Sequence, residues 1–598
     1  MIKEKIAKVA FNLGVDKTFD YTISLPIEVG SRVLAEFNKK KNVGIIVSFL
    51  EESRIKNIKP LLAILDKTPS LSREHLRFAH RLSQEYLYPW GQILFMMLPP
   101  KLKRGVYFKD DILKRRRSEI KKSKYEEVFI KSHNFTERFS IYKKEIKNAL
   151  GSGSVVMFLP TVESLKSAYK KVEREVKDNI IVIHSYQKTS ELYRNWLRIK
   201  KGNVFVMSTR VGLFYFPLDL NLIVIEEENS PYYFHPEKPY YHLVDVAKNL
   251  ADLKKLKVIL SGDYPTIFTY KRYKEKKLAL IEKREDSKHI EILNFGNFYK
   301  NKVKIFSPFV IELLRKNLEE NRKILIIWNK KNFCSFLKCS NCGYIPSCLR
   351  CSSYLKFSWE ENRSICSWCG GIYDIEKICS KCGLGYIKPV GVGVERLQVI
   401  IKRIFPEYSI HTIEKMTPAT NIILSTSKIV NYSYSFDVIF LLDIDRMLSS
   451  FDYETTLYAF IYLKKIATLS RDKVYVFTHN PHYYLWSYLS RGWKEFYDRE
   501  LFLRKKFGFP PYTRLVKITL RAKNKNILFN NANSLYNTFK NYTPFVFGPI
   551  KEFPFKLRGM YRYSIVAKFR KKRGFLKEIN SVIEHYRRSS AKIAVVIK

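Results

Sequence analysis

The spacing of hydrophobic residues divides the chain into regions of different character. Up to residue 103, short segments such as KVAFNL and TFDYTI alternate apolar and polar positions, and turn signals separate them. This alternation is typical of half-buried strands and predicts a small β domain over residues 1–103. The stretch SREHLRFAHRLSQEYL near its end is predicted to be helical.

Two later regions carry continuous apolar runs between longer helical stretches. NVFVMST and LNLIVIEEE belong to the first region, and KILIIWN and FDVIFLLDID belong to the second. Continuous apolar strands between helices predict a buried parallel sheet. We therefore predict one α/β lobe over 125–295 and a second in two pieces, 296–338 and 384–490. The polar, basic segment 104–124 is interpreted as a linker, and 491–598 as a compact α+β domain.

The charge of the chain narrows the possible partners. Its 598 residues include 107 Lys and Arg against 57 Asp and Glu, a formal net charge of +50. Such an excess usually serves a polyanion, although lysines spread along the whole chain also fit a general compositional bias. No apolar run approaches the roughly 18 residues of a spanning helix, and the start lacks the apolar core of a signal peptide. We expect a cytoplasmic protein that binds no membrane.

Eight of the nine cysteines form four C-x2-C pairs between residues 339 and 382, while Cys334 stands apart. Each pair places two thiolates on one side of a tight loop, and two pairs complete a tetrahedron around Zn²⁺. The spacing predicts two closed, structural zinc sites but leaves open which pairs share a metal. In a reducing compartment this interpretation is favoured over disulfides.

A nucleotide-driven motor would need a phosphate loop of the form G-x4-G-K-[ST]. None of the 23 glycines is followed by lysine. The decoy GSGS, residues 151–154, precedes an apolar strand instead of following one, so we interpret it as a turn. Glu226 ends an apolar strand as a magnesium-binding acid would. Because the chain has no phosphate loop, we favour the interpretation of Glu226 and the following glutamates as an acidic turn.

The cysteine block followed by KPVGVGVERL closely resembles the double-zinc insertion of the PriA family of replication-restart helicases. VDKTFDY and VGSRVLAEF are similar to that family's amino-terminal domain, FVMSTRVGLFYFPLDLNLIVIEEENSPYY to its first helicase lobe, and FYDRELFLRKKFGFPPYTRL to its carboxy-terminal domain. The resemblance covers nearly the whole chain. It implies a 3′-end DNA-binding domain at 1–103, two RecA-like lobes, a double-zinc insertion at 339–383 and a DNA-binding domain at 491–598. Only the segment 104–124 stands where the family has a winged helix.

The resemblance also implies how the cysteines pair. By the family's interleaved pattern the outer pairs share the first zinc and the inner pairs the second. The first set is Cys339, Cys342, Cys379 and Cys382, and the second is Cys348, Cys351, Cys366 and Cys369.

The departures from the family concern the motor. The phosphate-loop Lys falls on Arg138, the family's D-E-E-H begins at Glu226 and Glu227, and the arginine-bearing motif keeps Arg471. We interpret these four as degenerate counterparts of nucleotide-binding positions and assign no catalytic residue. ATP and Mg²⁺ binding is therefore doubtful, and a retained fold with a lost ATPase is expected.

Five positions correspond by motif to DNA contacts of the family. Phe19, Asp20 and Lys59 match the seat of an unpaired 3′ end, and Tyr232 and Tyr233 belong to an aromatic-rich loop that tracks single-stranded DNA. Aromatic rings support bases and lysines meet phosphates. The competing interpretation makes the aromatics core residues, Asp20 a turn residue and Lys59 an exposed lysine. The basic stretch KFRKKRG, at 568–574, fits either a phosphate patch or a solvated turn.

These observations favour a replication-restart protein that binds forked or branched DNA and supports primosome assembly without helicase activity. Its expected partners are DNA forks, single strands with a 3′ end, primosome proteins and single-stranded-DNA-binding proteins, in association with a bacterial nucleoid. Two alternatives stay open. One is an active ATP-dependent 3′–5′ helicase with divergent motifs, and the other is a zinc-bearing RNA-binding scaffold.

Overall fold

The fold is described from a computed structural model, which covers the larger part of the chain. The described residues are 5–24, 26–55, 57–108, 124–176, 179–283, 289–294, 306–329, 336–351, 353–358, 362–366, 368–431, 434–442, 444–449, 452–569 and 592–597. Most of the predicted linker, Cys334 and the basic stretch from residue 570 onward lie outside these ranges. In the described part, no helix combines the length and apolar character needed to cross a membrane.

The amino-terminal region folds as a six-stranded sheet followed by three helices, which confirms the predicted β domain. Its strand order is β5-β2-β1-β4-β3-β6, and the alternating segments supply the longer strands because one side chain in two reaches the core. The elements are β1 Lys5–Phe11, β2 Thr18–Ile23, β3 Arg32–Phe37, β4 Lys40–Leu50, β5 Lys59–Pro60, β6 Ala63–Ile64, α1 Arg73–Tyr86, α2 Trp90–Met96 and α3 Pro100–Lys103.

A buried ion pair joins this sheet to the helices behind it. The Arg32 guanidinium donates to the Asp66 carboxylate at 2.5 Å, and neither side chain is exposed. Arg32 also donates to the carbonyl of Leu102, at 2.6 Å. These acceptors surround the guanidinium and compensate its buried charge. Loss of either Arg32 or Asp66 would leave the charge of the other uncompensated.

The first α/β lobe contains a seven-stranded parallel sheet, as its continuous apolar runs predict. The strand order is β13-β7-β12-β11-β8-β10-β9, and β8 and β10 are buried along their whole length. The elements are β7 Glu126–Lys131, α4 Phe135–Leu150, β8 Ser154–Phe158, α5 Val162–Glu175, β9 Ile180–Ile183, α6 Thr189–Lys201, β10 Phe205–Ser208, β11 Leu220–Ile225, α7 Leu243–Lys254, β12 Lys257–Gly262, α8 Ile267–Lys274 and β13 Ala279–Glu282.

The second lobe repeats this architecture and carries the cysteine block as an insertion between β15 and α10. Its six-stranded parallel sheet has the order β14-β24-β23-β15-β22-β21. The elements are β14 His289–Asn294, α9 Pro308–Glu319, β15 Ile324–Trp328, β16 Phe336–Cys339, β17 Leu355–Ser358, β18 Arg363–Cys366, β19 Ile372–Tyr373, β20 Ile387–Val390, α10 Val394–Ile404, β21 Ile410–Thr412, β22 Ile422–Ser425, β23 Phe436–Leu442, α11 Asp445–Leu448, α12 Thr455–Leu469 and β24 Ser470–Thr478.

The carboxy-terminal region is an α+β unit with an antiparallel sheet of order β26-β27-β25-β28. Its helix α14 also takes part in the contact between the lobes, where Trp493 and Tyr497 pack against Tyr264 and Tyr270 of the first lobe. The elements are α13 Trp486–Leu489, α14 Trp493–Lys506, β25 Arg514–Ala522, α15 Lys525–Lys540, β26 Val546–Leu557, β27 Met560–Phe569 and β28 Lys592–Ile597.

Candidate functional site

Two clusters of four cysteines could each bind a metal ion. In each cluster the four sulfurs lie within 4.8 Å of one another. The first cluster joins the outer pairs of the block and the second joins the inner pairs, so the structure brings together the same residues that the family pattern groups. The first cluster is Cys339, Cys342, Cys379 and Cys382, and the second is Cys348, Cys351, Cys366 and Cys369.

The sulfur geometry fits a tetrahedral ion. Thiolates about 2.3 Å from zinc form a tetrahedron with edges of about 3.8 Å. In the first cluster, Sγ of Cys339 lies 3.7 Å from Sγ of Cys382, and the same distance separates Cys342 from Cys379. Backbone N–H groups of Asn341 and Cys342 point at the Cys339 sulfur, at 3.3 and 3.4 Å. These donors would stabilise a thiolate.

Glycines shape the turns around the sulfurs. Gly343, Gly370 and Gly383 have φ near +70°, a left-handed backbone that side chains with a Cβ avoid. Gly385 has a different role, because a Cβ there would lie 2.4 Å from Sγ of Cys339. The first cluster therefore depends on the absence of a side chain at residue 385. A metal ion bound by all four cysteines of a cluster would have no open position for a reacting water.

The loop that would cradle a triphosphate in the first lobe is short. Only residues 132–134 separate β7 from α4, whereas a phosphate loop spans about eight residues. The start of α4 is also occupied by acidic and polar side chains. Asn134 accepts from the Glu137 backbone at 2.9 Å, and the Ser132 hydroxyl donates to the Glu137 carboxylate. A carboxylate at this helix end repels the phosphate that would bind there.

Arg138 and Glu226 form a buried ion pair beside this loop. The Arg138 Nε donates to Oε2 of Glu226 at 2.8 Å, and Nη1 donates to the Ser132 carbonyl at 2.8 Å. The other carboxylate oxygen of Glu226 accepts from Tyr142, at 2.5 Å, and from Ser261, at 2.6 Å. Both oxygens that could hold Mg²⁺ are thus engaged by the protein.

The backbone at Glu227 explains why its neighbours point inward. Glu227 has φ of 51°, and this left-handed turn leaves both Glu226 and Glu228 buried. Glu228 accepts from the Thr266 N–H at 2.7 Å and from the Thr269 hydroxyl at 2.9 Å. Burial raises the pKa of the Glu228 carboxyl, although Lys248 and these two donors oppose the shift. Glu228 therefore supports helix α8, and its oxygens are engaged there.

A cation from the second lobe reaches this cluster. Lys465, on α12, lies 2.8 Å from the Asp263 carboxylate at the end of β12. His133 and Arg138 lie 3.4 and 3.9 Å from the same carboxylate. Burial opposes ionisation of Asp263, but Lys465, His133 and Arg138 outweigh it and hold the pKa of this carboxyl well below its usual value. The cleft between the lobes is thus bridged by protein charges.

Arg471 does not join this cluster. It lies at the amino end of β24, its side chain is largely exposed, and it donates to Asp437 of its own lobe at 3.2 Å. The cation that the second lobe directs at the cleft is Lys465, which lies on the preceding helix. The structure therefore brings Arg138, Glu226 and Glu227 together and leaves Arg471 apart.

The predicted 3′-end residues lie on two adjacent strands of the amino-terminal sheet. Phe19 and Asp20 lie on β2, and Lys59 on β5 is next to it, opposite Tyr21. The Phe19 ring packs against Phe37 with a centroid distance of 4.7 Å. Asp20 accepts from Ser53 at 2.6 Å, and Lys59 pairs with Glu36 at 2.6 Å. All three are at least partly exposed, but each already has a partner in the protein.

The turn next to these residues keeps a left-handed backbone without glycine. Asn38 and Lys39 connect β3 to β4 with φ of 49° and 59°. Asparagine tolerates this conformation better than most residues because its side chain bonds locally. The hairpin can therefore form as it would with glycine, with a side chain added at its tip.

The aromatic loop requires a correction at one of its two predicted DNA contacts. Tyr232 is 54% exposed, but Tyr233 is fully buried. The Tyr233 hydroxyl donates to the carbonyls of Glu226, at 2.6 Å, and Phe158, at 3.0 Å. Its ring cannot meet a base, because it is buried against the end of β11. The competing interpretation as core holds for Tyr233.

Comparisons with known proteins agree on one family. A family model described as the 3′DNA-binding domain of PriA matches residues 8–99. The replication restart protein PriA of Thermotoga maritima is 25% identical over 90% of this chain and 78% of its own. The corresponding protein of Haemophilus influenzae is 23% identical over 94% of both chains. The chain is thus similar to PriA proteins over nearly its whole length. A solved structure of RecG bound to a three-way DNA junction is a remote likeness, with a TM-score of 0.35 at 9% identity over 71% of this chain and 48% of that one.

Comparison with the PriA motifs did not identify several members of the buried cluster, among them Asp263, Tyr142 and Lys465. Asp263 directly follows an apolar strand in SGDYP, a signal that could have marked it. Tyr142 lies four residues after Arg138 on the same face of α4, which also makes it a detectable neighbour. Lys465 had no such signal, because its contact with Asp263 joins two segments far apart in the sequence.

Proposed function

We propose that this PriA-like protein binds forked or branched DNA carrying an unpaired 3′ end and supports primosome assembly without hydrolysing ATP. The similarity to PriA proteins, the match of residues 8–99 to a 3′DNA-binding domain and the net charge of +50 support the DNA part. The domain partition expected from the sequence is part of the proposal. It assigns DNA binding to 1–103 and 491–598, the degenerate helicase fold to the two lobes, and a scaffold role to the double-zinc insertion at 339–383.

One observation carries the loss of hydrolysis, the buried pair of Arg138 and Glu226. A magnesium–triphosphate complex needs amides around the phosphates, a lysine and a carboxylate free to hold the metal. Here the loop is short, and Glu226 accepts from Arg138, Tyr142 and Ser261. Freeing Glu226 for a metal would take the hydrogen-bonded carboxylate from the buried Arg138 and leave this cation with only more distant carboxylates, at 3.9 Å. Breaking a buried ion pair in this way costs about 3–5 kcal/mol.

An ATPase assay with forked DNA tests this part. We expect no DNA-stimulated release of phosphate above that of a Glu226→Gln variant, which removes the charge but keeps the shape. Turnover that forked DNA stimulates and Glu226→Gln abolishes would establish the rival function, a working 3′–5′ helicase with divergent motifs.

A second assay tests 3′-end recognition. Binding is compared for forks whose nascent strand ends in a 3′-hydroxyl or a 3′-phosphate, since only the hydroxyl can donate to Asp20. We expect tighter binding of the hydroxyl end, and a smaller difference in Asp20→Ala. Glu28→Ala removes an exposed carboxylate of the same domain and is the charge-matched control. Equal affinity for both ends together with tighter binding of RNA would favour an RNA-binding scaffold.

We also propose that each cysteine cluster holds one structural Zn²⁺. The sulfur distances near 3.7 Å in the first cluster support this assignment. Bound zinc would supply a rigid crosslink between loops and no reaction, because all four ligands are protein thiolates. Native mass spectrometry should find two zinc ions per chain, and a count of one or none would contradict the assignment.

The scaffold role extends to protein partners. Leu384 and Tyr386 follow Cys382 of the first cysteine cluster closely in sequence and are 81% and 64% exposed, which leaves two large side chains in solvent. We propose this face as the contact for primosome proteins or single-stranded-DNA-binding proteins. The double variant Leu384→Ser/Tyr386→Ser should lose partner binding while it keeps two metal ions and its affinity for forks.

A further inference from the structure

A cleft of about 750 Å³ lies between the second cysteine cluster and the hairpin that joins β26 to β27. Leu349, Cys351 and Cys369 line one wall, and Leu557 and Gly559 line the other. The cleft thus brings together the zinc insertion and the carboxy-terminal sheet, two units far apart in sequence. None of the predicted nucleotide-binding or DNA-binding residues lines this cleft. Of the predicted metal ligands, Cys351 and Cys369 do.

Trp368 lines this cleft, and Phe553 is an exposed aromatic residue in contact with Trp368. Trp368 is 54% exposed and Phe553 is 63% exposed. Their centroids lie 6.0 Å apart with an angle of 79° between the rings, an edge-to-face contact across the two units. An edge-to-face contact covers one face of one ring at most, and more than half of each side chain is exposed, so ring faces stay accessible. Exposed faces of this kind are the surfaces on which unpaired bases stack.

Cations line the same cleft. Arg350, Lys556 and Arg558 belong to its lining, and among the described residues that line it there is no carboxylate. The thiolates of the second cluster carry negative charge in any metal-bound form, so the hairpin is the more favourable side for phosphates. Guanidinium and ammonium groups beside exposed rings form the combination that binds single-stranded nucleic acids.

The backbone of the hairpin gives an independent indication. Arg558 occupies the turn with φ of 50°, followed by Gly559 with φ of 76°. Turns of this kind favour asparagine or glycine at both positions, because a Cβ is unfavourable in the left-handed region. An arginine at a position where glycine would fit better, at the mouth of a cationic cleft, points to a role in binding.

We propose that this cleft binds an unpaired segment of single-stranded DNA, with a base on Trp368 and the adjoining phosphates on Lys556 and Arg558. The inference rests on the proposed function, because it names a second DNA contact of the same protein. It is separate from the 3′-end residues on β2 and β5, since it needs no strand terminus. The strand would join the zinc insertion to the carboxy-terminal sheet.

The test uses the full-length, zinc-loaded protein and a fluorescent dT15 oligonucleotide capped with a 3′-phosphate, so that an end-dependent site contributes little. Trp368→Ala should weaken binding about 5- to 150-fold, the loss expected for one stacked base. Trp368→Phe should stay within about threefold of the unmodified protein, because a phenyl ring can still stack. Tyr186→Ala, at an 80% exposed aromatic outside the cleft, is the matched control and should not change binding.

Charge variants provide a second measurement. Arg558→Gly relieves the left-handed backbone, so it should fold at least as well as the natural chain while it binds dT15 more weakly. Each phosphate interaction that a variant removes should reduce the slope of log K against log salt by about 0.7. Lys402→Gln, on an exposed position of helix α10, is the control for removing one positive charge.

The outcomes separate this proposal from the proposed function. Unchanged dT15 binding in both Trp368→Ala and Arg558→Gly would overturn the cleft assignment, even with 3′-end discrimination intact. No binding of dT15, combined with tight binding of an acidic peptide that Trp368→Ala abolishes, would assign the cleft to a protein partner and overturn it as well. Failure of the unmodified protein to bind any fork would instead overturn the proposed function.

Discussion

The buried pair of Arg138 and Glu226 allows a quantitative test of how the cleft between the lobes is held. In Arg138→Met, Glu226, which is 1% exposed, keeps Tyr142 and Ser261 as donors but loses its counter-charge. Removing one partner from a buried ion pair costs about 3–5 kcal/mol. We expect the first lobe to lose that much unfolding free energy.

The double variant Arg138→Met/Glu226→Gln separates charge from packing. Its amide oxygen can still accept from Tyr142 and Ser261, and the pair leaves no uncompensated charge buried. It should therefore recover about half of the Arg138→Met loss, or about 2 kcal/mol. With the Glu226→Gln single variant measured as well, the double variant should lose at least about 2 kcal/mol less than the sum of the two single losses, and this difference is the coupling energy between the two sites. A site that depended on packing alone would show no such coupling.

Hydrogen exchange of the β7 and β11 amides in the full-length protein, over a series of urea concentrations, measures these free energies locally. Lys143→Met on the same helix is the control, because its 3.3 Å pair with Glu175 is at the surface and contributes less than about 1 kcal/mol. A loss in Arg138→Met no larger than in this control would refute the reasoning, and so would strictly additive losses in the double variant.

Three further predictions concern other parts of the molecule. Gly385→Ala should lower the zinc content measured by native mass spectrometry from two ions to one, because its Cβ would lie 2.4 Å from Sγ of Cys339; retention of both ions would contradict this. Asp66→Ala should lower the unfolding free energy of the amino-terminal domain by about 3–5 kcal/mol in urea, because it leaves the Arg32 guanidinium buried without its carboxylate. A loss below about 1 kcal/mol, as for an ion pair at the surface, would contradict this prediction. Burial, with Lys200 and Lys254 nearby, lowers the pKa of the His75 imidazole well below its usual value. The unfolded chain then binds the proton more readily, so stability should fall as the pH drops below about 6.5, by up to about 1.4 kcal/mol per unit, and His75→Phe should remove this dependence.

The repeating patterns of the chain predicted much of the fold. Alternation in KVAFNL and TFDYTI corresponds to β1 and β2, and the continuous runs correspond to parallel strands such as β11 and β23. These predictions succeed because hydrophobic spacing along one segment determines which face that segment buries. The cysteine spacing similarly predicted two clusters, since C-x2-C turns act locally.

Contacts between distant segments were harder to predict. Tyr233 looked like an exposed aromatic, because nothing in SPYYFHPEKPYYH tells its ring from that of Tyr232. The difference arises only when the loop folds back against β11 and the hydroxyl meets the Glu226 carbonyl. Lys465 was missed for the same reason, as its partner lies in the other lobe.

The bridge from Lys465 to Asp263 has a consequence for the timing of any DNA complex. A helicase couples opening of its lobes to ATP hydrolysis, so the rate of hydrolysis can set the rate at which it releases its substrate. Here the link across the lobes consists of side chains that are always present. If no hydrolysis occurs, occupancy of a fork follows mass action alone, and the lifetime of the complex is set by spontaneous dissociation or by a competitor. Handover to the next protein would then depend on that protein's affinity for the same strands.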